Sequence, residues 1–162
     1  MFRKFINFVF GTKYDGVVDL TPVSVKQPNT NQVKSLKKPY AISKEGIEFL
    51  KNWEKCKLKA YLDGGGVWTI GWGTTGNVKK GMVITAEQAE KLLMDYLLEQ
   101  DKVLNKILNV DLISQKQYDV ISSFVYNIGI SQFSTSSLLK LLREKNWEKA
   151  ANQMIRRDSK GL

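Results

Sequence analysis

Two carboxylates and a hydroxyl carry the first chemical signal in the sequence. In the stretch NWEKCKLKAYLDGGGVWTIGWGTTG, residues 52–76, Glu54 is followed nine residues later by Asp63, and six further on by Thr69. Glycoside hydrolysis needs one carboxylic acid to protonate a leaving oxygen. It needs a second carboxylate to activate water or to stabilise the positive sugar ring. Glu54 and Asp63 could supply both, and a threonine hydroxyl, which donates and accepts, could hold the attacking water beside Asp63. The same three residues also suit a solvated helix end, an Asp-Gly turn and a β-prone strand, so spacing alone leaves both readings open.

Composition narrows the alternatives. The 162-residue chain has no histidine and a single cysteine, Cys56. Ser/His and Cys/His catalysis and most zinc sites are thereby removed, which leaves acid/base work to Asp and Glu. Cys56 has no partner for an internal disulfide and no histidine to activate it, so it is expected as a buried or half-buried structural side chain. Lys plus Arg number 25 against 16 Asp plus Glu, a net charge of +9. That balance favours anionic partners: nucleic acid, membrane headgroups or an acidic cell wall.

The elements that must position the carboxylates can be read from capping and periodicity. Residues 1–12, opening MFRKFINFVF, form an amphipathic segment too short to span a bilayer and without a small-residue cleavage site. Peripheral contact with an anionic membrane through residues 1–10 is one expectation for it. Residues 13–41 hold all three prolines, Pro22, Pro28 and Pro39, among polar residues and read as a tether. The folded domain is expected over 42–162. Ser43 caps a first helix over 44–55, with Ile42 and Ile47 as a hydrophobic staple.

The run LKAYLDGGGVWTIGWG then switches to a hairpin around an Asp-Gly turn. Beyond Gly81 the chain reads as helical. A capping box at Thr85–Gln88 opens a helix to about Leu108, and a second box at Ser114–Gln117 opens one that breaks at Gly129. Leu138, Leu139, Leu141 and Leu142 mark a third helix, and Trp147, Ala150, Ala151 and Met154 a fourth from about Asn146. The fold class is α+β: one helix, a small sheet, then a helical lobe.

This order gives the carboxylates unlike surroundings. Glu54 falls at the C-terminal end of the first helix, where the helix dipole and burial against Trp53 or the sheet both favour the protonated form. Asp63 falls at an exposed turn among backbone N–H groups, which favours the ionised form. Such a division is what acid/base hydrolysis uses. Trp68 and Trp72 flank Thr69 and could stack on sugar rings or pack under the hairpin. Tyr126 and Asn127, just before Gly129, could line a cleft and bind N-acetyl groups, though a plain helix C-terminus accounts for Asn127 and Gly129 nearly as well.

EGIEFLKNWEKCKLKAYLD, then VWTIGWGTTG, then QYDVISSFVYNIGISQFSTSSLLKLL closely resemble the phage-type lysozyme family, the muramidases that bacteriophages use as endolysins. The resemblance covers about Ile42 to Ala151. It implies a lysozyme-like fold and hydrolysis of the β-1,4 bond between N-acetylmuramic acid and N-acetylglucosamine in peptidoglycan, leading to lysis of the host cell. Glu54 would be the acid, Asp63 the base or electrostatic stabiliser, and Thr69 the water-positioning residue. No metal or organic cofactor is implied, nor a specific nucleic-acid partner. The protein is expected as a monomer, made in the host cytoplasm without a cleavable signal and acting on the cell wall.

Two positions depart from the family. Thr74 stands where many relatives carry histidine, and MIRRDSKGL ends where relatives continue into a final helix, so the C-terminus reads as shortened. A missing helix would be expected to uncover Leu138, Leu142 or Met154. The rival readings are a basic nucleic-acid-binding module and a membrane-disrupting one without hydrolytic activity.

Overall fold

The computed structural model describes residues 39–158; the amphipathic segment 1–12, residues 13–38 of the tether and residues 159–162 lie outside the described residues. The element order is α1 (Lys44–Trp53), β1 (Lys57–Leu62), β2 (Trp68–Gly71), α2 (Ala86–Ile107), a 3-10 turn (Val110–Leu112), α3 (Gln115–Ile128), α4 (Ile130–Ser134), α5 (Ser137–Arg143) and α6 (Trp147–Asp158). This is the expected α+β arrangement. One short helix, α4, was not legible, because ISQFS follows Gly129 without a capping residue of its own.

Each major helix begins where its sequence supplies a cap. Ser43 accepts from the Gly46 amide, and Thr85 and Ser114 form complete capping boxes with Gln88 and Gln117. Such caps satisfy N–H groups that have no partner within the helix. α2 runs 22 residues, about 33 Å at the usual helical rise. Along it Ala89, Leu93, Leu97 and Leu104 are buried at helical spacing.

Two apolar clusters form on this helix. The larger unites Leu104, Leu108, Tyr118, Ile121, Phe124, Phe133, Leu138, Leu142, Ala150 and Met154 from α2 to α6. The smaller joins Ile42 and Leu50 to Leu93 and Leu97, with Ile47, Trp72 and Tyr126 packed on it. Leu138, Leu142 and Met154, expected to be uncovered by a short C-terminus, are buried instead (1%, 3% and 0% exposed), because α5 and α6 close on each other within the larger cluster.

α1 is fastened to the helical lobe by two buried carboxylates. Asp119 accepts from the Ser43 amide (2.9 Å), the Ser43 hydroxyl (2.7 Å) and Gln115 Nε2 (2.9 Å). Asp101 accepts from the Ile42 amide (3.1 Å) and the Tyr118 hydroxyl (2.7 Å). Burial pushes the Asp101 carboxyl up, against the opposing pull of these two donors. Tyr40 extends the attachment: its amide and carbonyl pair with the Asn105 side chain, and its ring stacks on Tyr118 at 5.2 Å. Tyr40 and Ala41, read as tether, therefore belong to the folded unit, since Ala41 also gives its carbonyl to Gln115 Nε2.

Gly46 allows this closeness. A Cβ there would lie 2.8 Å from Ile42 Cγ1 and 2.9 Å from Asp119 Cβ and Cγ. The Asp119 side chain is held by three hydrogen bonds and cannot retreat cheaply. Gly46→Ala is expected to lose about 1–3 kcal/mol through overpacking. Urea denaturation followed by circular dichroism checks this, and a variant as stable as the parent would disprove it.

Candidate active site

The sheet that carries the site is small. β1 and β2 pair antiparallel with Tyr61 opposite Thr69 and Leu62 opposite Trp68, and a bulge falls between Lys57 and Tyr61. The segment after the hairpin adds a partial third strand, through the Ala60 amide to the Met82 carbonyl and the Ile84 amide to the Leu58 carbonyl, both 2.9 Å. Past β2 the chain folds back at once: Ile70 and Thr74 exchange both backbone hydrogen bonds at 2.9 Å, with Gly71 and Gly73 at positive φ (63° and 102°). Only glycine adopts such angles without steric cost. Thr74 is thus part of the turn's backbone ladder.

Glu54 is the residue at which helix gives way to strand. The first helix ends at Trp53, two residues earlier than expected. Glu54 is its C-cap, extended in backbone (φ −85°, ψ 124°), with its amide donating to the Leu50 carbonyl. The carboxyl is half-buried, and burial alone raises its pKa above the ordinary glutamate value. Trp53 is 40% exposed and packs edge-on against Phe49. A Cβ placed on Gly73 would sit 4.0 Å from Glu54 Oε2 and 3.8 Å from the Tyr126 hydroxyl. The glycine turn and a tyrosine of α3 therefore form a wall beside Glu54.

Asp63 is fixed by its own turn. Its Oδ1 accepts from the amides of Gly65 (2.9 Å) and Val67 (2.8 Å), while its backbone N–H and C=O bond to Val67 and Gly66. The backbone N–H groups expected around it are present, but the residue is half-buried rather than exposed. Thr69 lies across the strand pair from Tyr61, is 3% exposed, and donates its hydroxyl to the Val67 carbonyl at 3.0 Å.

The remaining predicted residues separate into two groups. Trp72 is half-buried on the Ile42, Leu50, Leu93 and Leu97 cluster, with Lys51 Nζ 5.7 Å from its ring centroid. Trp68 is half-buried in β2 beside Thr69. Tyr126 reaches the site, whereas Asn127 is exposed and returns its Nδ2 to the Ser123 carbonyl one helical turn back. Cys56, expected to be buried or half-buried, is exposed in the link between α1 and β1.

Sequence reasoning missed Tyr61. Burial raises its phenol pKa, and the charges of Glu54 and then Asp63 push it further, so the ring lies near both carboxylates. Lys57 Nζ stands 3.6 Å over that ring. The available signal was the i, i+2 spacing of Tyr61 and Asp63, which in extended chain places two side chains on one face.

The raised pKa of Glu54 has a thermodynamic consequence. A carboxyl whose folded pKa exceeds its unfolded value contributes no penalty while protonated, and costs stability as pH rises through the folded pKa. Glu54→Gln should therefore raise the melting temperature at neutral pH, with the gain vanishing toward low pH. Scanning calorimetry across pH checks it; a variant less stable at neutral pH would contradict the burial argument.

Sequence and structure comparisons agree with this architecture. The model of the family described as phage lysozyme matches residues 51–161. The endolysin of Acyrthosiphon pisum secondary endosymbiont phage 1 is 41% identical over 115 residues, covering 71% of this chain and 78% of that protein. The endolysin of Salmonella phage P22 is 40% identical over 119 residues, covering 70% of this chain and 81% of that protein. Among solved structures, the muramidase domain of SpmX from Asticaccaulis excentricus superposes with a TM-score of 0.62 at 33% identity, covering 71% of this chain and 77% of that one.

Proposed function

The chain belongs to the phage lysozyme family, and on that premise we propose that Glu54, Asp63 and Thr69 form its hydrolytic site. The protein is an endolysin that cleaves the β-1,4 bond between N-acetylmuramic acid and N-acetylglucosamine in bacterial peptidoglycan and so lyses the host cell. Glu54, as the acid, gives its proton to the glycosidic oxygen while the bond to the sugar's anomeric carbon breaks. Asp63 faces the positive charge that develops on the ring, as stabiliser or as base for the attacking water, and Thr69 helps to place that water. Water supplies the hydroxyl of the new reducing end.

The observation that supports this reading best is the contrast between the two carboxylates. Glu54 is half-buried with its pKa raised by burial, which keeps a proton available to donate. Asp63 instead has its Oδ1 accepting two backbone N–H bonds within its turn. Peptidoglycan is the partner, the basic surface suits an anionic wall polymer, and a single chain carries every proposed group. We also propose contact of residues 1–10 with anionic membrane as an accessory to action at the wall.

Glu54→Gln should lower clearance of purified cell walls by roughly 10²–10⁴-fold, the range for losing a general acid. Mass spectrometry of parental digests should show reducing N-acetylmuramic acid ends. Unchanged clearance by the variant would sink the assignment of Glu54, and anhydro ends would replace hydrolysis with transglycosylation.

A further inference from the structure

We propose that Tyr126 is a positioning residue of the reaction: by holding the Trp72 carbonyl, its hydroxyl fixes the Gly71–Thr74 turn as the wall beside Glu54. This inference rests on Glu54 being the acid. The turn needs an external tie. It contains two glycines at positive φ, and glycine's breadth of allowed backbone angles gives such a turn little rigidity of its own. Its base is closed by the reciprocal Ile70–Thr74 hydrogen bonds. Its apex is held at Trp72 from two sides. The indole packs on the α1–α2 cluster, and the carbonyl accepts from the Tyr126 hydroxyl at 2.7 Å.

Tyr126 is itself well anchored. Its ring meets Tyr96 edge-on, with centroids 5.0 Å apart and planes at 79°. Burial first, and then the charge of Glu54, push its phenol well above the ordinary tyrosine range. Both effects favour the protonated hydroxyl, the form that donates. Tyr126 and Glu54 also meet at one place, since the point a Cβ on Gly73 would occupy is 3.8 Å from the hydroxyl and 4.0 Å from Glu54 Oε2. Its proton is committed to the Trp72 carbonyl, and the proposed contribution of the hydroxyl runs through the wall. Loosening that wall admits water to Glu54 and lowers the fraction of acid that is protonated.

The test uses Tyr126→Phe in the full chain, which keeps the ring and its contact with Tyr96 and removes one hydroxyl. Initial rates of hydrolysis of purified peptidoglycan are measured across pH, with Glu54→Gln and thermal melts in parallel. The alkaline limb of the profile should move to lower pH by about half a unit or more, the scale of a partial loss of desolvation. The maximal rate at neutral pH should fall several-fold with little change in apparent KM, and acidification should recover it. An alkaline limb that superimposes on the parent's overturns the proposal, whether or not the melting temperature has fallen. A raised apparent KM with an unmoved limb also overturns it, in favour of direct contact with substrate. If Glu54→Gln retains activity, the acid assignment fails; if it is inactive and the limb is unmoved, the Tyr126 inference alone fails.

Discussion

The hydrogen bonds from Ser43 to Asp119 set the starting point of α1, and much of the geometry near Glu54 depends on that placement. Ten helical residues, Lys44–Trp53, separate the fastened end from the proposed acid. A helix is stiff over that length, so a displacement at Ser43 would carry through to Glu54. The joint is made from buried carboxylates answered by amides and hydroxyls. Hydrogen bonds to a buried charge act directionally and fail if one partner is lost. An apolar contact in the same place would tolerate sliding, and Glu54 would slide with it.

From this joint the site is assembled by three independent attachments. α1 delivers Glu54 from the helical lobe, the Asx-type turn delivers Asp63 from the hairpin, and the glycine turn after β2 closes beside Glu54. Each attachment ends in a hydrogen bond to backbone, so side-chain packing alone is not asked to define the positions. The smaller cluster around Leu50, Leu93 and Leu97 supplies the floor on which α1 and Trp72 both rest. Burial of the Glu54 carboxyl, half-covered by protein, disfavours its ionised form.

Much of this was legible in the sequence, for reasons that can be traced to particular residues. The capping boxes at Thr85 and Ser114 are local signals, complete within four residues, and both occur where expected. Family resemblance and hairpin pattern likewise rest on short contiguous runs. What escaped notice depends on contacts between distant parts of the chain. Asp101 and Asp119 look like ordinary helix-surface acids until Ile42 and Ser43 arrive some sixty to eighty residues away in sequence. That Trp72 offers Tyr126 a carbonyl is likewise invisible to any local pattern. The exposure of Cys56 and the early end of the first helix depend on how the α1–β1 link is covered, which a one-dimensional pattern does not contain.

Asp63 and Glu54 stand in different relations to the fold. The Asp63 side chain is a structural member of its turn, with Oδ1 spanning the amides of Gly65 and Val67. The Glu54 side chain takes part in no such bracing, and burial works against its charge. A descendant that gave up cleavage and kept the scaffold, for instance as a wall-binding module, would be free to lose the glutamate and would gain by doing so. The aspartate would persist, or drift only to asparagine, which can brace the same two amides. In such a lineage a preserved acid at position 63 would testify to the loop, and position 54, the proposed acid, would record whether cleavage had been kept.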